Sequence, residues 1–584
     1  MATQARSLPY EEPGMVTILI NVSFLLILNI VNYVLDRVVY CGLLGQIFVG
    51  MAWGIPGAKW LDVDLQHVAM SIGYLGLVLL VYEGGLSTCL GPLRANLLLA
   101  TAVALTGISL PIGLSFVLKS LASASPLQAF AAGAALCSTS LGTTFTVLET
   151  SGLTRTKLGT VLSSAAMMDD VVGLILVQVI SNLGGPHASF SSVTVIRPLA
   201  VSVAFVLVLI LVCRFLIAPV TRWVQYRWGS ESRSFRLMEM YGQHVAFVMH
   251  TLVLVGLVIG ATYAGTSGLF AAYLAGAAIS WWDGEFLMSS AENNQAPSEE
   301  TVREGEEATT DNKSESTPSG ATRNNTERGR SSTEQNPNSQ PVVEYPDTTH
   351  STGTEVYHNY YSVVVQRILK PLFFASIGFA IPITQMFRGA IVWRGIVYTI
   401  LMFIAKVLTG LWLVRLEISV PRISIPVSWK KLARSCRLQR GKVSEKPTPS
   451  GQQPGQSEGS SRPPNKYEST PSKPSSRWPK PRSLYPASIL GTAMVARGEI
   501  GFLVSSLAES KGIFSTAGTA NSDIYLIVTW AIMLCTMIGP LGVGMLVRRL
   551  KRLQKQQGTP DGGGGGGRGR GRGSSDPLGV WGVL

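Results

Sequence analysis

Charge is scarce in this chain. Asp, Glu, Lys and Arg make up 14% of its 584 residues, well below the roughly 25% of soluble proteins, and they avoid long stretches altogether. That shortage excludes the soluble chain of three or four domains that length alone would suggest. Windows such as Met15–Leu35, Asn96–Leu118, Val195–Ala218 and Gln243–Ala264 can cross about 30 Å of hydrocarbon as helices. Cysteine is scarce too. Cys41, Cys89, Cys137, Cys213 and Cys535 lie in or beside apolar segments and Cys436 in a basic loop. None has metal-ligand spacing, so they read as small apolar packers. Nor is a cleavable leader expected: Glu11 and Glu12 follow Arg6, and the run at 15–35 is longer than a signal core, so it reads as a retained first span.

What is present is a polytopic all-α membrane protein. Thirteen spans are expected, at about 15–35, 38–56, 66–82, 96–118, 127–149, 158–182, 195–218, 243–264, 267–282, 363–382, 390–416, 486–508 and 522–547. Orientation follows from Lys and Arg in short connections. Arg155 and Lys157, then Arg222, Arg227, Arg233 and Arg236, then Arg548, Arg549, Lys551 and Arg552, all fall on one side if the N-terminus is outside. The connection Ala264–Ser267 on the other side has no charge. The C-terminus is then cytosolic.

The chain divides into an extension at 1–14, nine spans within 15–282, an insert at 283–357, two spans within 363–416, a basic insert at 417–484, two spans within 486–547 and a tail at 548–584. Both inserts lack apolar periodicity and are expected to be disordered and cytosolic, which leaves the sequons at Asn312 and Asn324 unglycosylated. The tail, with a glycine run and Arg568, Arg570 and Arg572, reads as a solvated linker; contact with RNA or acidic lipid is the alternative. The net charge of +13 is a matter of placement, and no nucleic-acid partner is expected.

An internal match links Val147–Leu153, at the end of span five, with Leu507–Ile513, at the end of span twelve. One span is odd-numbered and the other even, so they run in opposite directions. An inverted repeat with interrupted helices at matching positions points to a secondary transporter.

A charge at the bilayer centre costs about 2.5–3.5 kcal/mol on insertion scales, so each one needs a reason. Asp169 and Asp170 sit mid-way along span six. Neighbours on a helix differ by about 100°, so they cannot face the same partner. One can meet an aqueous cavity while the other pairs inside the bundle. In a low-dielectric cavity an ionised carboxylate is costly, and a proton and a metal cation can compete for its oxygens. The bland alternative is a structural pair locked in salt bridges. Lys406, deep in span eleven, is expected to pair with one of these acids; the alternative is snorkelling to the interface. Arg497 and Glu499 lie in span twelve, whose counterpart in span five is the Ser/Thr-rich stretch Leu136–Thr144, where Thr139 and Ser140 are the candidate cation ligands. Gly, Ser and Thr at this depth suit unwound helices whose carbonyls and hydroxyls bind a cation. Arg497 and Glu499 read equally as helix-end neutralisers.

Six segments in order resemble the cation/proton antiporter superfamily, in particular its second branch of sodium/proton exchangers and potassium-efflux systems. They are Tyr82-Glu83-Gly84-Gly85-Leu86, the Ser/Thr crossover, Asp169-Asp170, Leu372-Phe373-Phe374-Ala375-Ser376-Ile377-Gly378, Lys406 and Arg497-Gly498-Glu499. The resemblance implies a homodimer, with spans 1–3 and 8–10 as a dimerisation panel and spans 4–6 and 11–13 as a core that moves like an elevator. It implies that Asp170 binds the cation and Asp169 pairs with Lys406, with Arg497, Glu499 and Glu83 compensating charge. Paired acids with Lys resemble the electrogenic type, two protons per sodium. The long inserts resemble those of a fungal exchanger.

The expected function is exchange of Na+ or K+, with Li+ also open, for protons by alternating access, in the plasma membrane or an endomembrane. No enzyme activity, catalytic residue or cofactor is expected, and the partners are the two ions, membrane lipid and a second copy. The alternatives are a cation channel or sensor with an antiporter-like body and, last, an organic-anion or drug transporter.

Overall fold

In the computed structural model, the described residues are 10, 12–88, 96–140, 142, 152–154, 156–184, 192–227, 242–294, 352–414, 483–515, 522–557, 578 and 581. Among them every regular element is helical. The first three are α1 (Met15–Val39), α2 (Gly42–Trp53) and α3 (Val63–Leu86), followed by α4 (Leu97–Ser115), α5 (Pro126–Ala135) and α6 (Lys157–Leu183). Next come α7 (Ser192–Val212), which continues through a π-helical turn into Ala218–Arg227, then α8 (Gly242–Ala264) and α9 (Gly268–Asn294). The C-terminal part holds α10 (Gly353–Tyr357), α11 (Lys370–Phe379), α12 (Gly389–Val407), α13 (Tyr485–Ala493), α14 (Glu499–Ser510) and α15 (Asp523–Gln557).

Eight helices among the described residues are long and apolar enough to span a bilayer, and a ninth joins them if the pair 353–362 and 365–379, bent by 52°, is one crossing. The protein is therefore an integral membrane protein. Among the described residues, the spans expected over 38–56, 127–149, 267–282 and 486–508 fall outside this set. At a rise of 1.5 Å per residue, α2 with its 12 residues extends only about 18 Å, and the helices expected over 127–149 and 486–508 are broken.

Three expected boundaries shift. The helix α9 runs on to Asn294, and helical chain resumes at Gly353, so the first insert is shorter at both ends than 283–357. Helix persistence needs good local formers and caps rather than apolarity: Thr352 caps α10 by accepting from the Glu355 amide. The tail helix likewise continues to Gln557, because Arg, Lys, Leu and Gln are strong helix formers. Across the insert, 70 positions apart, the Gly353 amide donates to the carboxylate of Asp283, within α9, at 2.6 Å. The rest of both inserts, both sequons, Cys89, Cys436, Arg155, Arg233, Arg236 and the Gly/Arg tail lie outside the described residues.

Close approach of backbones organises the bundle. A Cβ on Gly85 of α3 would overlap the Tyr273 carbonyl of α9, and one on Gly276 would overlap the Tyr82 carbonyl. Small residues allow such approach where no hydrophobic force drives helices together. The internal sequence match also has a common backbone feature. Gly152 and Gly512, at matching positions, both adopt left-handed φ values, +70° and +74°. At Gly512 this closes α14: the Gly512 amide reaches the Glu509 carbonyl and the Ile513 amide the Ala508 carbonyl, the usual way a glycine satisfies the last carbonyls of a helix. Most of the first copy, 147–151, lies outside the described residues.

Candidate functional site

Two helices stop in mid-span and their loose ends cross. The first, α5, begins with a capping box at Ser125 and Gln128 and ends at Ala135, leaving Leu136–Ser140 irregular. The second, α13, ends at Ala493, and Met494–Gly498 separates it from α14. The Ser140 amide donates to the Ala496 carbonyl at 3.0 Å, and the Thr139 hydroxyl to the Met494 carbonyl at 3.4 Å. Buried backbone groups are paired in folded proteins, so each break serves as partner to the other.

The cations predicted from sequence lie at this crossing. The Lys406 ammonium has three donors and uses all of them: the Cys137 carbonyl at 2.5 Å, the Thr139 hydroxyl at 3.0 Å and Asp169 Oδ2 at 2.6 Å. Asp169 and Lys406 are both fully inaccessible to solvent. The Thr139 hydroxyl also lies 3.0 Å from Asp169 Oδ2. The buried Arg497 guanidinium donates through Nη1 to the Ser138 carbonyl at 2.9 Å, and the Arg497 carbonyl accepts from the Thr536 hydroxyl at 3.0 Å. The loose carbonyls past the C-terminus of α5, the negative end of its dipole, are thus met by two positive charges.

The second acid has different surroundings. Asp170 is buried, with 5% of its surface accessible, and is in electrostatic reach of Glu499, Asp169 and Lys406. Glu499 occupies the first turn of α14 and is half-buried. Asp169 and Asp170 therefore part company along one helix, one engaged by Lys406 and the other turned toward a like charge. Oδ1 of Asp169 is buried and finds no hydrogen-bond partner among the described residues.

Glu83 stands apart from the Lys406 pair. It accepts a hydrogen bond from the Tyr357 hydroxyl at 3.1 Å and is in electrostatic reach of Lys370, His358 and Glu499. Of the eight residues singled out in the sequence, Asp169, Asp170, Thr139, Ser140, Lys406, Arg497 and Glu499 converge on the crossing, and Glu83 is linked to it only through Glu499.

Three groups were missed by sequence reasoning. Thr536 holds the second break, and Tyr357 reaches Glu83 from beyond the insert. Gly107 of α4 faces the ion pair: a Cβ there would lie 3.2 Å from both Lys406 Nζ and Asp169 Oδ2. A glycine in the middle of an otherwise apolar run was the available signal for it.

Comparison with known proteins finds similarity over parts of the chain. Residues 23–294, just under half of the chain, match the family "Sodium/hydrogen exchanger, transmembrane". The Na(+)/H(+)-K(+) antiporter GerN of Bacillus cereus is 31% identical over 133 residues, 23% of this chain and 34% of that protein. The Na(+)/H(+) antiporter of Enterococcus hirae is 24% identical over 238 residues, 41% of this chain and 58% of that protein. The chain thus spans between about a third and three-fifths of the length of these curated relatives. Superposition on the sodium proton antiporter MjNhaP1 of Methanocaldococcus jannaschii covers 92% of this chain and 98% of that one, with a TM-score of 0.48 and 11% identity.

Proposed function

We propose, from the match of residues 23–294 to the sodium/hydrogen exchanger family, that the chain exchanges a monovalent cation for protons. The observation that carries the reading is a charge imbalance. At the crossing, three acids (Asp169, Asp170 and Glu499) face two cations, Lys406 and Arg497. A buried charge without a partner is costly, so the arrangement asks for one further positive charge, and either a proton or an alkali ion supplies it.

In this reading Asp170 holds that charge. When it carries a proton, the set of five is balanced. When the proton leaves, Na+ or K+ takes its place on the carboxylate, with oxygen from Thr139, Ser140 and the loose carbonyls completing the shell, as hard cations require. Because the two ions share the same oxygens, they exclude one another, which is the condition for exchange rather than leak. Asp169 stays with Lys406 and holds the α5 break in register. Transport by two protons per cation would make exchange electrogenic, with the Asp169–Lys406 pair supplying the second proton. A second copy would pack through the exposed apolar faces of α1 and α8, for instance at Leu19, Val22, Leu252 and Val255. The family match gives the channel alternative no support of its own.

The test is a preset pH gradient in vesicles containing the full chain. Added Na+ or K+ should dissipate it, and Asp170→Asn should abolish the effect. Retention of full exchange by that variant would remove Asp170 from the proposal. Scanning Li+, Na+ and K+ ranks the substrates, and a rate unaffected by membrane potential would refute electrogenic coupling.

A further inference from the structure

Far from the crossing, α15 leaves its apolar segment and carries a turn of cations. At about 100° per residue, Arg548, Arg549, Lys551 and Arg552 share one face about 160° wide. All four are exposed, whereas Val547 and Leu550 point the other way and are buried. Among the described residues no carboxylate lies within ion-pair distance of them. Next to this turn is the end of α1. The Tyr40 hydroxyl accepts from Arg548 Nη2 at 3.5 Å, and three positions earlier the exposed Arg37 donates to the Tyr33 hydroxyl at 2.9 Å. Asp36, the residue before Arg37, accepts from the Gly42 amide at 2.6 Å.

Tyr40 is also held against its own preference. Its φ is +58°, a left-handed conformation in which a bulky residue is an outlier. Such strain persists where the surroundings fix it. Here it sets a phenol beside an arginine at the place where a long apolar helix ends.

We propose that the seam between α1 and α15 binds the headgroup of an anionic phospholipid, with Arg37 and Arg548 on either side of Tyr40 and with Arg549, Lys551 and Arg552 adding attraction. The apolar part of α15 precedes the basic turn directly, so these side chains sit at headgroup level. Phosphate is the group that guanidinium forks match best. The argument depends on the membrane placement of α15 and not on exchange chemistry.

The test is a titration of the full chain in neutral detergent with phosphatidylserine, with phosphatidylcholine and inorganic phosphate as separate arms, read as thermal stability. A ligand bound to the folded state stabilises it by RT ln(1 + [L]/Kd), so the melting temperature climbs with ligand concentration once that exceeds Kd. Phosphatidylserine alone should raise it. Arg548→Gln with Arg552→Gln, both exposed, should weaken the apparent affinity about 25-fold, since each cation near an anionic surface contributes about 1 kcal/mol, or about fivefold. Tyr40→Phe should also weaken binding, whereas neutralising Arg568, Arg570 and Arg572 together should not. The proposal is overturned by an equal shift with phosphatidylcholine, by the same shift with inorganic phosphate, by an unchanged affinity in the double variant, or by an equal loss on altering the tail arginines. RNA that displaced the lipid equally well from the wild type and the double variant would also count against the seam.

Discussion

The two breaks at the crossing solve the same problem in opposite ways. In both, a helix ends inside the membrane and leaves carbonyls that water cannot reach. The break after α5 gives its carbonyls to cations: Cys137 to Lys406 and Ser138 to Arg497. The break after α13 gives its own to neutral donors: Met494 to the Thr139 hydroxyl, Ala496 to the Ser140 amide and Arg497 to the Thr536 hydroxyl. The same backbone need is met with two charges on one side and with none on the other. The difference teaches where the acids belong. Asp169 is tolerable because it completes a cationic patch, whereas Asp170 lies in electrostatic reach of Glu499 in the first turn of α14, and among the described residues it forms no ion pair.

The sharpest way to break this contrast is at the charged side. Lys406→Met leaves the Cys137 carbonyl without its donor and Asp169 without its counter-charge. Removing one partner of a buried ion pair costs about 3–5 kcal/mol, a loss to be read from denaturant unfolding of the purified full chain. Adding Asp169→Asn to Lys406→Met should recover part of it, because the orphaned charge is gone. A double variant no more stable than the single would mean that the pair is not what holds the break.

Next in size is Gly107→Ala. Its new Cβ would press on Lys406 and Asp169 at 3.2 Å, and overpacking of this kind costs about 1–3 kcal/mol. The expected signature is a lowered melting temperature with lowered exchange; a wild-type melting temperature would show that the pair has room to move.

The smallest effect is expected at the neutral side. Thr536→Val removes one hydroxyl from the Arg497 carbonyl and should cost about 1 kcal/mol. If that loss equalled the one at Lys406, measured in the same detergent, the contrast between a charged and a neutral break would not stand.

Much of this architecture is legible in one dimension because the membrane punishes polarity. Asp169, Asp170, Lys406 and Arg497 are conspicuous against apolar neighbours, and Ser138, Thr139 and Ser140 mark a segment that cannot pack as a plain apolar helix. Long apolar runs gave the positions of the long helices for the same reason. Partners are another matter. Nothing local says that Lys406 reaches the Cys137 carbonyl 269 positions away, that Thr536 closes on Arg497, or that Tyr357 meets Glu83 across an insert. Those contacts depend on how helices cross, which a hydropathy pattern does not encode. Charge content also misled at the edges: Asp283, Glu285 and the basic turn at 548–552 read as ends, yet the helices carry on past them.

The hydrogen bond from Gly353 to Asp283 has a consequence for how the chain accommodates additions. By tying the far rim of the first insert to the body of α9, it lets the transmembrane body close on itself whatever lies between. The entropy of tethering a longer segment rises only logarithmically, about 0.6 kcal/mol for each doubling. Evolution can therefore lengthen, trim or replace this segment with little penalty to the body, so long as one carboxylate and one amide keep the doorway shut.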